Sequence, residues 1–258
     1  MVVVKLQGGL GNQLFQWALA KSLSIKFNVE TYIDIIGYDN QVNITKRGFS
    51  LNKLPNISYN LFNNTNNGFT TIYDDFIFKE FNIEKDNNYF FDGYWQSEKY
   101  FIKYSNIIKN ELSPNQNIKK DLHKIIPEKN NSVSLHVRRT DYVTSNGYHP
   151  LQDINYYNSA IEHIGEYDNL YIFSDDIVWC KENLHYKNMT FVEGNDSITD
   201  IWLQSICKNN IIANSSFSWW GSWLNNNVDK KVISPLKWFG DHVALNTSDI
   251  IPKNYIKI

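Results

Sequence analysis

The sequence predicts an α/β protein made of two doubly wound halves, each a parallel sheet flanked by helices. Two observations predict it. Short apolar runs alternate with segments whose apolar residues recur at helical spacing, the pattern of units that build parallel sheets. The alternation also occurs twice, on either side of a polar stretch from Ser113 to Lys129 that carries Pro114 and Pro127 and reads as a linker. Two such halves would leave a cleft between them, and ligands of such sheets bind at the carboxyl ends of strands.

The elements follow in order. Val2 to Leu6 reads as a strand, followed by the turn Gln7-Gly8-Gly9-Leu10-Gly11 and a helix carrying Leu14, Phe15, Ala18, Leu19 and Leu23 on one face. Val29 to Ile35 reads as a second strand. From Ile36 to Asn88 Asn-rich segments with scattered aromatics define no element. Tyr89 to Trp95 reads as a strand, and Ser97 as the N-cap of a helix carrying Tyr100, Phe101, Tyr104, Ile107 and Ile108. Beyond the linker, strands are expected at Ser132 to Val137, Leu170 to Phe173, Met189 to Val192, Ile211 to Asn214 and Lys231 to Ser234. Helices fall between them at Asp153 to Ile164, after Phe173, at Ser197 to Lys208 and over a Trp-rich segment.

Composition narrows the function. A net charge of −2 argues against a protein whose main task is holding nucleic acid. The 2 cysteines, Cys180 and Cys207, form no CxxC pair, so neither a disulfide scaffold nor a zinc site is expected, and both read as buried thiols. The apolar start, Met1 to Leu6, is too short for a secretory signal. No apolar run reaches the roughly 18–20 residues that span a bilayer, so a cytoplasmic protein is expected. The aromatic share of 15% suits sugar stacking as well as core packing.

Five segments carry chemistry. Gly8-Gly9-Leu10-Gly11-Asn12-Gln13 is a glycine turn between strand and helix, where backbone N–H groups can approach a phosphate; it departs from G-x-G-x-x-G because Leu14 stands at the last position. Asp34, ending the second strand, stands where a ribose-binding acid would, so a dinucleotide site is a rival reading. His136-Val137-Arg138-Arg139-Thr140-Asp141-Tyr142 runs off a strand end. Paired arginines there need partners, and a guanidinium fork fits phosphate oxygens, so one Arg is expected on a ligand and the other on Asp141. His136, flanked by apolar residues, reads as a satisfied core histidine.

Phe173-Ser174-Asp175-Asp176 offers paired carboxylates that suit either Mg²⁺ or the cap of the next helix, and the cap is preferred. Asp200 lies in the first turn of a helix, where it serves the helix dipole or accepts hydrogen bonds from a nucleoside. Asn214-Ser215-Ser216-Phe217-Ser218-Trp219-Trp220-Gly221-Ser222-Trp223 puts hydroxyls at a strand-to-helix junction, suited to capping and to anion binding alike. Its tryptophans are spaced for packing.

Together these segments, with Gly93-Tyr94-Trp95-Gln96-Ser97-Glu98-Lys99-Tyr100-Phe101, resemble glycosyltransferase family 11, the bacterial α-1,2-fucosyltransferases. The resemblance implies a GT-B-type fold of two Rossmann-like domains facing a central cleft. Residues 1–120 would form the acceptor side, and residues 128–258 would bind GDP-fucose. It implies inverting transfer of fucose from GDP-fucose to the 2-OH of a β-galactoside in surface-glycan or O-antigen synthesis. No cofactor or essential metal is implied, and peripheral contact with a lipid-linked glycan at the inner membrane is.

It also implies roles. Arg138 would hold the diphosphate, and Asn12, with Gly9 and Gly11 of its loop, would approach the sugar-phosphate. Asp200 would read the nucleoside, and Ser215, Ser216 and the backbone at Phe217 would hold phosphate beside His136. The chain departs from the related α-1,6 enzymes at Asn146, where those carry a glutamate thought to be the base. His149 and Glu98 stand as candidates for that role. Two rivals carry different expectations: an NAD-dependent dehydrogenase would bind NAD and not GDP, and a non-enzymatic carbohydrate-binding protein would bind glycan without nucleotide.

Overall fold

A computed structural model describes residues 1–39, 46–63, 68–127 and 130–258. The chain forms two compact units, Met1–Ser113 with Leu245–Pro252, and Pro114–Ala244 with Lys253–Ile258. The expected second domain, 128–258, ran unbroken to the end of the chain, whereas Leu245–Pro252 packs with the first unit. Its Asp249 accepts from Phe78 N at 2.9 Å and pairs with Lys99. Residues 128 and 129 lie outside the described residues.

The first unit holds a five-stranded parallel sheet. Strands β1 (Val2–Lys5), β2 (Thr31–Asp34), β3 (Asn60–Leu61), β4 (Thr70–Tyr73) and β5 (Tyr89–Asp92) lie in the order β3-β2-β1-β5-β4. Helix α1 (Leu10–Phe27) packs on it. The core gathers Val2, Val4, Leu19, Leu23, Phe91 and Trp95.

The second unit begins with α3 (Gln116–Ile125), after α2 (Ser105–Leu112) closes the first. Its six-stranded parallel sheet is formed by β6 (Ser132–Val137), β7 (Asn169–Ser174), β8 (Met189–Phe191), β9 (Asn209–Ile211), β10 (Val232–Ser234) and β11 (Ile256–Lys257). Their order is β11-β10-β9-β6-β7-β8. Helices α4 (Thr140–Val143), α5 (Ile154–Ile164), α6 (Ile177–Asn183), α7 (Ser197–Ile206) and α8 (Ser216–Leu224) connect them. Every residue of β6 is buried, as expected of a central strand covered on both faces. The α/β fold with two parallel, doubly wound sheets is the GT-B-like architecture.

Several element boundaries need correction. The polar stretch read as a linker is largely α3. Asn115 caps it, accepting from the N–H groups of Asn117 and Ile118, and Leu122 alone is buried. The helix expected from Ser97 is two 3-10 turns, Glu98–Tyr100 and Ile102–Tyr104, before α2. Phe101, at φ −139°, interrupts helical winding between them. β5 ends at Asp92 rather than Trp95, which sits at φ 56° in a turn. β9 covers 209–211, ahead of the expected 211–214. Within 36–88, β3 and β4 appear where no element was expected.

In each sheet the strand order places one point at which successive connections leave in opposite directions. In the first this point lies between β1 and β5, in the second between β6 and β9. Ligands of open parallel sheets bind at such points, outside the carboxyl ends of the strands.

Candidate active site

The switch point of the second sheet gathers the charged motifs. Arg138 leaves the end of β6 with its guanidinium shared between two carboxylates: Nη2 lies 2.5 Å from Asp141 Oδ1 and Nη1 3.1 Å from Asp175 Oδ2. Asp175 also accepts from the Arg139 N–H at 2.9 Å and from the Thr140 hydroxyl. Burial pushes the Asp175 carboxyl up, but Arg138, Thr140, the Arg139 amide and His136 together hold it below the usual carboxylate range. Five N–H donors sit on a guanidinium, so two aspartates leave Arg138 further donors for an anion.

Two expectations change here. Arg138, not Arg139, takes Asp141; Arg139 turns the other way, donating from Nε to Asp176 at 3.2 Å with its guanidinium 4.1 Å from the Trp179 ring centroid. Successive residues leaving a strand point to opposite sides, which separates the pair. The cap of α6 is Asp176, accepting from Trp179 N, and not Asp175. Asp175 instead fastens the end of β7 to the loop after β6, a role no local pattern announces.

Across the gap, Asn214 follows β9 and Ser215 caps α8, its hydroxyl accepting from Phe217 N at 3.4 Å. Ser216 opens the helix. The free N–H groups of a first helical turn, with the helix dipole, form an anion site. His136 packs against Phe217 at 5.3 Å between ring centroids. Its Nδ1 is buried without a hydrogen-bond partner, so it is not the satisfied histidine expected. Burial drives its pKa down to about 3, leaving the ring neutral.

Asp200 lies one turn into α7, whose cap is Asp196. Asn195 Nδ2 donates to Asp200 Oδ1 at 3.2 Å, yet burial raises the Asp200 pKa to about 6. A carboxylate held this far from its ordinary value, with no ion pair among the described residues, is poised to accept donors from a ligand.

His149 sits in an aromatic box. It stacks on Tyr142 at 4.4 Å and 11°, with Tyr148 and Phe239 at 4.9 and 5.2 Å. Its Nδ1 is buried without a partner, and burial lowers its pKa to about 4. Asn146, at the position of the missing glutamate, adopts φ 51° and opens the turn that leads to His149.

The first sheet's switch point combines an amide cluster with an ion pair of Lys5 and Asp92, at 2.9 Å, across the ends of β1 and β5. Gly8, at φ 78°, crosses so near the start of α1 that a Cβ there would lie 2.4 Å from Asn12 Nδ2. Asn12 donates its N–H to the carbonyl of Gly9, which caps α1, and its Oδ1 accepts from Gln96 Nε2 at 2.8 Å. Gln16 joins the two strand ends, donating to Gly93 O and accepting from Gln7 N. Gly11 is buried in the first turn of the helix.

Asp74 locks the β5 side. Its carboxylate accepts from the N–H groups of Phe76, Tyr94 and Trp95 at 2.9, 3.2 and 2.7 Å. Burial raises its pKa, opposed by those amides. The approach is so close that a Cβ on Gly93 would lie 2.1 Å from Asp74 Cβ. Glu98 follows Ser97, the cap of the first 3-10 turn, and is half-buried. Asp34, the rival's ribose acid, spends Oδ1 on the N–H of Ile36 at 2.9 Å in a local turn.

Among the described residues no group of three His, Cys, Asp or Glu side chains is arranged to hold a metal, and no helix is long and apolar enough to cross a membrane. Cys180 and Cys207 are buried and free.

Comparison with known proteins adds to this geometry. The family description Glycosyl transferase family 11 matches residues 1–257. An alpha-1,2-colitosyltransferase of Escherichia coli is 35% identical, covering 100% of this chain and 99% of that protein. The O-antigen biosynthesis glycosyltransferase WbnK of Escherichia coli is 32% identical, covering 95% and 97%. Among solved structures, the fucosyltransferase NodZ from Bradyrhizobium superposes with a TM-score of 0.51 at 13% identity, over 85% of this chain and 90% of that one. At that identity the likeness concerns the fold.

Proposed function

Because the chain belongs to glycosyl transferase family 11, we propose that it transfers L-fucose from GDP-β-L-fucose to the 2-OH of a β-galactoside, inverting the anomeric centre. The acceptor belongs to a surface glycan such as an O-antigen unit on its lipid carrier, met at the cytoplasmic face of the membrane. The observation that carries this reading is the second switch point, where Arg138, preset by Asp141 and Asp175, accompanies the N-terminus of α8.

The chemistry follows from those groups. As the glycosidic C–O bond to the donor phosphate breaks, negative charge collects on the leaving diphosphate and positive charge on the sugar ring. Arg138, the Ser215 and Ser216 hydroxyls and the Phe217 amide stabilise the first, an interaction stronger in the transition state than in the ground state. Neutral His136 lines the same gap without adding charge. Asp200 accepts N–H donors of the guanine, and Asn12 with the turn of Gly9 and Gly11 meets the sugar-phosphate. Magnesium is not required, since fixed cationic and N–H donors supply the charge stabilisation.

The acceptor hydroxyl must lose a proton. Glu98 is the carboxylate candidate for it. His149, with its pKa near 4, is a weak base at neutral pH and is shielded on Nδ1. Because a relative of 35% identity is named for colitose, the 3-deoxy counterpart of fucose, the donor sugar is the finer point to test.

Purified protein is incubated with GDP-fucose or GDP-colitose, EDTA and a panel of β-galactosides, following GDP release and product linkage by NMR. Acceptor-dependent release from GDP-fucose, with an α-1,2 linkage, supports the reading in full. Turnover with GDP-colitose alone moves the donor assignment, and a product linked elsewhere moves the acceptor position. Stabilisation by NAD with no GDP binding would overturn the transferase reading.

A further inference from the structure

Tyr142 takes no part in the chemistry above, yet it touches both halves of the donor site. Its hydroxyl donates to the Asn214 carbonyl at 2.8 Å, immediately before the cap of α8. Its ring has the Arg138 guanidinium carbon 5.5 Å from the centroid and stacks on His149. Asn214 itself is pinned, its Nδ2 donating to the carbonyls of Pro150 and Trp238 and its Oδ1 accepting from Gln152.

This matters because Tyr142 lies in α4, a helix of 4 residues. One helical turn has too few internal hydrogen bonds to hold itself, so its position depends on tertiary anchors. Arg138 and the start of α8 stand on different strand ends, and each could bind an anion alone. Held at a fixed separation they grip one diphosphate without a further ordering cost.

We infer that Tyr142 is a positioning residue that keeps the Arg138 guanidinium in register with the Ser215–Phe217 turn, so that both close on one diphosphate. The inference rests on the reading that these two elements bind the donor.

The test is equilibrium titration of the full chain with GDP, in wild type, Tyr142→Phe, Arg138→Lys and the double variant. Phenylalanine keeps the ring packing and removes only the hydroxyl, so the fold is retained. The expected result is GDP binding weakened about five- to tenfold in Tyr142→Phe, the worth of one net hydrogen bond. In the Arg138→Lys background the same change should cost less than about twofold, because the fork it aligns is already gone. An unchanged affinity in Tyr142→Phe overturns the inference, and so does an equal loss in both backgrounds, the mark of a general structural role. Wild type that fails to bind GDP, or Arg138→Lys that binds as wild type does, brings down the donor reading itself and the inference with it.

Discussion

The gap between the carboxyl ends of β1 and β5 carries an amide cluster, Asn12 bonded to Gln96 and Gln16 bonded to Gly93 and Gln7, beside an ion pair of Lys5 with Asp92 at 2.9 Å. The equivalent gap between β6 and β9 is lined by charge, with Arg138 and Arg139 meeting Asp141, Asp175 and Asp176. Both sit where the strand order reverses, so the fold supplies two ligand positions of the same kind and the side chains divide the work. Amides recognise hydroxyls directionally and need no counter-charge. Paired ions are costly to desolvate, and that cost is tolerated where preset charge is needed at the moment of reaction. The denser preset charge of the second unit fits the proposal that the leaving diphosphate sits there, and the amide cluster of the first fits hydroxyl-bearing sugar.

Predictions that break or sharpen this contrast can be ordered by size. Removing the fork with Arg138→Ala should lower kcat/KM for GDP-fucose by roughly 100-fold or more, by analogy with losing one preorganised donor. A rate near wild type in steady-state kinetics would remove the central residue of the charged site.

The next effect is pH-dependent. Asp200, with its pKa raised to about 6, offers both oxygens as charged acceptors only when ionised. GDP affinity should therefore fall as pH drops through that value, by about tenfold per unit well below it, while Asp200→Asn flattens the profile. Titrations between pH 5 and 8 check this. The same raised pKa means that the unfolded carboxyl ionises more readily than the folded one, so its burial penalty is absent at low pH and appears as pH rises through the interval from 3.8 to about 6. Asp200→Asn should accordingly make the ligand-free protein more stable at neutral pH in a urea melt.

A smaller effect is expected on the amide side. Asn12→Ala should reduce kcat about fivefold, roughly one hydrogen bond, with little change in GDP affinity. Equal losses in kcat and GDP affinity would erase the division between the units. Ser215→Ala should cost about 1 kcal/mol of stability as a lost helix cap, read by chemical denaturation, and should weaken GDP binding modestly.

The charged site was largely legible in the sequence because its motifs stand at the ends of buried strands. β6 alternates Val133, Leu135 and Val137 with Ser132, Ser134 and His136, a strand period that fixes where Arg138 emerges, although the strand is buried at every residue. Asp175 was legible as a residue and not as a partner, since it meets Arg138 across two strands and local spacing carries no trace of that. The first unit was harder to read. β3 is exposed at both residues and β4 at most of its own, so neither shows a core-facing alternation. Asp74 went unnoticed for the same reason, although it fastens both Phe76 and Trp95 at positive φ. In α3 the cap residue Asn115 was the available signal, masked by a polar surface that resembles a linker.

The most direct measurement is a structure of the protein bound to GDP. The account predicts the diphosphate in the second unit, with its oxygens about 3 Å from the Arg138 guanidinium and the Phe217 amide and the guanine edge on Asp200. A diphosphate seated instead on the Gly8–Gly11 turn of the first unit would contradict it.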